Sequence, residues 1–254
     1  MTYPIYPGKH RLPSMLTAEK MIEFRRGQGG LGRSRAPETL ILCLYTGVMR
    51  YFPLKYASKR VAGFLGDLYL LNRTGSKTAV LGNFGIGSPV VASLAEEMIA
   101  WGTKRLVILS LAGGLQPDLN PGDIVLCTRA VRDEGTSYHY LPAGRYVEAS
   151  VKFVSDLSAA FEQNKLAHST GMTWSTDAPY RETREEADHY RTEGVLAVDM
   201  ESAGLFAVGQ ARGVETASIL VIGDSLAHPR WSAPPDMRAL HQRMKTCLRV
   251  LTDL

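Results

Sequence analysis

Two acidic spots carry the most chemistry in this chain. Asp199-Met200-Glu201 joins the apolar run Val195–Val198 to a helix-forming stretch, and Gly223-Asp224-Ser225 follows the apolar run Thr216–Ile222. Each puts a carboxylate at the end of an apolar strand. Such a group can accept hydrogen bonds from sugar hydroxyls, or exchange a proton where burial raises its pKa. Taken singly, Asp199 also suits a helix N-cap and Asp224 a turn. Glycine-rich turns stand beside them: Gly85-Ile86-Gly87-Ser88-Pro89 and Ala112-Gly113-Gly114. Free N–H groups at such helix starts suit anions. The first turn lacks the third glycine of GxGxxG, which argues against a dinucleotide fold.

These residues need a frame. Strand-length apolar runs occur at Leu40–Leu44, Leu68–Leu71, Thr78–Leu81, Leu106–Leu109, Asp123–Cys127, Val195–Val198 and Thr216–Ile222. They are rich in Val, Ile and Leu, as strands buried on both faces are. Helical patterns lie between several of them, at Pro89–Trp101, Val151–Gln163, Glu201–Arg212 and Ala239–Leu251. This alternation predicts an α/β fold, a single domain with a central mixed, mostly parallel sheet flanked by helices. Residues 1–37 read as an N-terminal arm with a short helix over Thr17–Arg26, capped by Thr17, and a mobile Gly/Arg loop after it. Residues 38–254 form the main domain.

Composition narrows the field. The 254 residues allow a sizeable core. Apolar residues make up 45% and charged residues 21%, which excludes a disordered tail or a fibre. Lys and Arg exceed Asp and Glu by 29 to 25, too small an excess to imply nucleic acid. Cys43, Cys127 and Cys247 are odd in number and lack CxxC spacing, so they read as reduced thiols of a cytoplasmic protein. No apolar run of about 18 residues is present, and neither a membrane span nor a signal peptide is expected.

From Thr78 to Ala227 the chain resembles the nucleoside phosphorylase and nucleosidase superfamily, the uridine and purine nucleoside phosphorylases in particular. The matching segments occur in order: GIGSP at Gly85–Pro89, AGGLQPDLNPGDIVL at Ala112–Leu126, RDEGTSYHYLP at Arg132–Pro142, STDAPY at Ser175–Tyr180, VDMESAGLFAV at Val198–Val208, and GDS at Gly223–Ser225. GIGSP alone is weak, but the ordered set with VDMES is specific. The resemblance implies one α/β domain, assembled as dimers that stack into hexamers.

It also implies roles. Met200 and Glu201 match the pair that holds the ribose, with Asp199 where the family more often has Glu. Asp224 matches the acid that meets N7 of the leaving base in purine-acting members. Pyrimidine-acting members carry instead a Gln-x-Arg pair that reads uracil; here the stretch is Arg181-Glu182-Thr183-Arg184-Glu185, without Gln. RDEGTSYHYLP, by contrast, looks more like the uridine-acting proteins. Gly113 belongs to the substrate-binding turn, and Trp174, Pro179 or Tyr180 could stack on the base. His10 could reach the ribose 5′-hydroxyl of a neighbouring subunit. At the phosphate end the pattern departs from the family. Ile108 stands where phosphorolytic members have Arg, and Leu111 replaces a hydroxyl residue, with Ser110 adjacent. Arg50, after the first strand, is the best phosphate candidate, with Gly87 and Ser110. Lys59 and Arg60 are secondary.

The expected reaction is phosphorolysis of a nucleoside, purine in the leading case, to free base and ribose 1-phosphate. No metal or organic cofactor is expected, and phosphate is the co-substrate. The expected partners are the nucleoside, phosphate and further copies of the chain, with no nucleic acid and no membrane. Hydrolysis to free ribose is the alternative opened by Ile108, although the Glu with which nucleosidases activate water is also missing from Tyr45–Arg50. A nucleoside-binding protein without turnover is a third.

Overall fold

The computed structural model describes residues 6–32, 34–228, 231, 233 and 236–253. The strands are β1 Thr39–Cys43, β2 Ser58–Val61, β3 Asp67–Leu71, β4 Thr78–Gly82, β5 Arg105–Gly114, β6 Ile124–Asp133, β7 Tyr146–Glu148, β8 Ser169–Thr176, β9 Val195–Asp199 and β10 Glu215–Ser225. The helices are α1 Ala18–Gly27, α2 Thr46–Met49, α3 Phe52–Lys55, α4 Ser88–Trp101, α5 Val151–Gln163, α6 Arg184–Thr192, α7 Ser202–Arg212 and α8 Met237–Leu251. Each apolar run named above lies in a strand or overlaps one, and the four long helices fall where the periodicity puts them.

The sheet is mixed. Strands β4, β1, β5 and β10 run parallel to one another, so their carboxyl ends share one rim. Strands β6, β8 and β9 form a second parallel set. The two sets meet antiparallel, β10 on β6 and β5 on β9. Pairing therefore closes a ring of β5, β10, β6, β8 and β9, while β1, β4, β3 and β2 extend from it as a sheet. Because β2–β3, β3–β4 and β6–β7 are also antiparallel, parallel pairing dominates only at the centre.

Strand β5 belongs to both parts. Arg105–Leu109 pair with β1, and Gly113 and Gly114 pair with β9. The central strands are fully buried: β1 and β4 expose nothing along their length. This is the physical basis of their unbroken apolar runs, since helices cover both faces.

Helix α1 starts at Thr17, whose side chain accepts from Lys20 N–H. It is docked on α4 through buried Ile22 and a bidentate pair between Arg25 and Glu97, at 2.5 and 2.6 Å. Leu31, from the Gly/Arg loop, is buried in the core. An apolar side chain anchors a segment whose composition predicts mobility. No described helix is long and apolar enough to cross a membrane.

Candidate active site

The site grows from strand ends on the rim. Val198 of β9 and Asp224 of β10 both register on Gly113 of β5, from opposite sides. A Cβ at Gly113 would lie 2.5 Å from Leu226 Cδ1, 2.9 Å from Val198 Cγ1 and 3.1 Å from Asp224 Oδ1. Only glycine lets the two acidic turns approach the same point. The turn after β4 is tied in as well. Gly87, at φ 100°, presents its N–H to Glu201 Oε1 at 2.7 Å. Ser88 Oγ donates to the Met200 carbonyl at 2.9 Å.

Glu201 occupies the N-cap position of α7 and is 3% exposed. Burial first, then the charge of Asp199, pushes its carboxyl up to about 7; the N–H groups of Gly87 and Met200 act in the other direction. Its carboxylate already accepts from the Met200 N–H at 3.3 Å.

Asp199 faces inward. Oδ1 accepts from Ser175 Oγ at 2.5 Å and Oδ2 from Ser202 Oγ, which in turn lies 2.8 Å from Ser218 Oγ. Ser175 Oγ also accepts from the Ala203 N–H. Burial pushes Asp199 up to about 6 against these hydrogen bonds. The structure therefore gives Asp199 to the support beneath Glu201, where the sequence pattern allotted it to the substrate. The helix N-cap alternative for Asp199 also gives way, because Glu201 holds that position.

Asp224 is half-buried, and its Oδ2 accepts from Trp231 Nε1 at 2.8 Å. Two arginines of α6 hold the chain just beyond it. Arg184 donates to the carbonyls of Leu226 and His228, and Arg191 to that of Ala227. Glu182, just before α6, was not singled out from sequence. It is half-buried, and burial followed by the charges of Asp224 and Glu186 pushes its carboxyl up to about 7. Its one signal in the sequence is its place in Arg181–Glu185, the stretch that lacks the Gln of pyrimidine-acting members.

The phosphate candidates are dispersed. Ile108 is fully buried between Leu42 and Ser218, so no cation can stand there without unpicking the core. Ser110 is nearly buried and donates to the Leu111 carbonyl. Arg50 is exposed at the end of α2, beyond β1 on the same rim, and its guanidinium has no side-chain partner among the described residues. Lys59 and Arg60 lie on β2 at the far edge of the sheet, with Arg60 paired to Asp67 at 2.5 Å.

Three further residues fall outside this cluster within one chain. Tyr180 is 98% exposed. Trp174 is packed inside, its Nε1 donating to Asp133 and its ring against Tyr190, so it is a core residue. His10 sits on the turn Lys9–Arg11 beside a groove shared with Thr136, His139 and Tyr140, where Lys9 Nζ reaches His139 at 2.7 Å. The three cysteines are free and buried. Among the described residues no group of three or more His, Cys, Asp or Glu could hold a metal ion.

Known proteins resemble this chain in sequence and in fold. Guanosine phosphorylase from Halorubrum lacusprofundi is 31% identical over 142 residues, covering 56% of this chain and 59% of that protein. Uridine phosphorylase from Treponema pallidum is 31% identical over 149 residues, covering 54% and 58%. The matched region thus spans about three fifths of these relatives' own lengths. Among solved structures, AMP nucleosidase from Bacteroides thetaiotaomicron superposes with TM-score 0.71 at 22% identity, over 93% of this chain and 98% of that one. Uridine phosphorylase from Vibrio fischeri gives 0.69 at 23%, over 88% and 99%. At such identities these two likenesses speak for the fold alone. A family model described as the Phosphorylase superfamily matches residues 52–253, the stretch that holds Gly87, Gly113, Glu201 and Asp224, and the chain belongs to that superfamily.

Proposed function

We propose that this chain is a nucleoside phosphorylase that cleaves the N-glycosidic bond of a purine nucleoside with phosphate. The observation that carries the reading is the buried Glu201 carboxylate, oriented at 2.7 Å by the Gly87 N–H, with Asp224 on the neighbouring strand across Gly113. Phosphate attacks the anomeric carbon as the bond to the base nitrogen breaks. The bonding pair leaves with the base, and positive charge builds on the ribose. Glu201 accepts hydrogen bonds from the ribose hydroxyls and opposes that charge. Asp224 hydrogen-bonds the base, which becomes more basic as it departs. The enzyme's task is positioning and charge stabilisation. Phosphate is the co-substrate, with Arg50 as its cation and no metal or organic cofactor in the reaction. We place the protein in the cytoplasm as a homo-oligomer, with the arm at residues 1–37 in the subunit contacts.

A second reading is hydrolysis to free ribose. It is favoured by Ile108, whose burial leaves no cation at the position that phosphorolytic members use. One assay separates the two. The pure protein is incubated with adenosine, inosine, guanosine and uridine, with and without phosphate, and the sugar product is identified. Ribose 1-phosphate formed only with phosphate supports the first reading, and free ribose the second. Binding without turnover under every condition would leave a nucleoside-binding protein.

A further inference from the structure

Strand β10 loses its regular pairing just before Asp224. Ile222 faces Ala112 and Asp224 faces Gly113, so Gly223 is left over as a bulge. On the other edge, β6 pairs with Ile219–Val221 and no further. A bulge re-aims the side chain that follows it and weakens the ladder that held it. The direction of Asp224 must therefore be fixed from beyond the strand.

Helix α6 supplies that hold. Arg191 Nη1 donates to the Ala227 carbonyl at 3.0 Å, and Arg184 donates to the carbonyls on either side, Leu226 and His228. The two arginines stand about two helical turns apart, so their side chains leave one face of the helix. Asp188 between them takes Arg191 at 2.8 Å and Arg184 at 3.2 Å, which sets both guanidinium groups against the same stretch of chain. Hydrogen bonds from charged donors are stronger than neutral ones.

The helix end that carries Arg191 is itself tied to the sheet. Gln116, from the segment that follows β5, donates its side-chain amide to the carbonyls of Val195 at 2.7 Å and Arg191 at 3.1 Å. Two residues before Gln116, the Gly114 carbonyl accepts the Leu226 N–H at 2.9 Å. A closed circuit results: Gly114, Gln116, the Arg191 backbone, the Arg191 side chain, Ala227, Leu226 and back to Gly114. Asp224 enters this circuit two residues ahead of Leu226.

We propose that Arg191 is a positioning residue for Asp224, which with Gln116 behind it fixes the strand end that the Gly223 bulge leaves loose. This rests on the reading of Asp224 as the group that meets the base. Arg191 touches neither base nor sugar in this account. It acts by holding the Ala227 carbonyl, so that the carboxylate stands where the departing base needs it. Misplacing a reacting group by about 1 Å costs on the order of a hundredfold in rate. Lysine cannot replace the fork, since a single ammonium does not span a carbonyl and a carboxylate in the same fixed plane.

Two measurements on the full chain test this. The first needs no turnover. Trp231 Nε1 donates to Asp224 at 2.8 Å and Trp174 Nε1 to Asp133 at 2.9 Å, so each indole N–H resonance reports one carboxylate. The Trp231 resonance is identified by its loss in Trp231→Phe. Arg191→Ala should move it toward its place in Asp224→Asn and leave the Trp174 resonance where it is. Arg191→Lys should fall between, and serves alone if Arg191→Ala does not fold. The second is a double-mutant cycle on the best purine nucleoside. Arg191→Ala should lower kcat/KM about tenfold to a hundredfold, and should cost nothing further in the Asp224→Asn background. A Trp231 resonance unchanged in the folded Arg191 variants, or losses that multiply in the double variant, overturns the proposal. If Asp224→Asn itself leaves every rate unchanged, the reading of Asp224 falls, and the indole resonance still decides whether Arg191 positions it.

Discussion

The amide of Gly87 donates to the carboxylate of Glu201 at 2.7 Å. This bond joins the turn after β4 to the turn after β9, two segments 114 residues apart in sequence. It orients one carboxylate oxygen, so Glu201 is preset for hydroxyl partners before any arrive.

Glu201→Gln keeps the shape of the side chain and removes its charge. The Gly87 N–H can still be accepted by the amide oxygen, so the fold should hold, with a melting temperature within a few degrees of wild type. Turnover on the best nucleoside should fall by about 10²–10³-fold, the scale for losing a preorganised electrostatic partner of the transition state. Steady-state kinetics with circular dichroism on the same sample checks both. A folded variant with full activity would remove Glu201 from the reaction.

The same carboxyl makes stability depend on pH. Burial raises Glu201 and Asp199 above the ordinary carboxylate range of about 4. The folded state therefore holds protons that the unfolded chain has released. Their contribution to stability is complete below about pH 4, and is lost as pH rises through the raised folded values, to about pH 7. The wild-type melting temperature should fall between pH 5 and pH 8 by more than that of Glu201→Gln. Parallel curves for the two proteins would contradict the raised value. In activity the sign is opposite: accepting two hydroxyls requires the carboxylate, so kcat/KM should rise with pH through about 7.

Gly113→Ala puts a methyl group where Leu226, Val198 and Asp224 already stand. Overpacking of this kind costs about 1–3 kcal/mol. Denaturant melts should show that loss. Because β9 and β10 must separate to admit the methyl, nucleoside KM should rise with it. A variant as stable and as active as wild type would mean that the two strand ends are not locked at this point.

Arg50→Ala addresses the phosphate end. A charge-assisted contact is worth about 1.5–3 kcal/mol, so the KM for phosphate should rise about tenfold to a hundredfold. The nucleoside KM should stay nearly constant, because Arg50 is assigned to the phosphate and Glu201 to the ribose. Phosphate titration at saturating nucleoside reads this directly. An unchanged phosphate KM assigns the anion to other residues.

Asp224→Asn should cut purine nucleoside turnover by orders of magnitude and spare uridine turnover, if any is present. Equal losses on every substrate would mean that Asp224 shapes the strand end and does not meet the base. A rate unchanged on all substrates removes the acid assignment.

The amino-acid sequence by itself determined the α/β class, the long helices, the central strands and the acidic strand ends. Those features are local: a buried strand announces itself by its apolar run, and Thr17 announces a helix start by its hydroxyl. Strand β8 escaped because Ser169–Thr176 mixes hydroxyls with Trp174, whose burial depends on β6 and β9. Helix α6 escaped because its face is almost wholly charged and only Ala187 is buried. Tertiary structure alone decided where side chains point. Asp199 turns inward because Ser175 of β8 and Ser202 of α7 donate to it, with Ser218 of β10 behind Ser202. Ile108 enters the core because β1 and β10 flank it. The start of α6 meets the chain after β10 because Arg184 bridges 42 residues to the Leu226 carbonyl. Periodicity reports what a residue's neighbours in sequence require. The direction of a carboxylate is set by strand register and by hydrogen bonds between distant segments, and these exist only once the chain has folded.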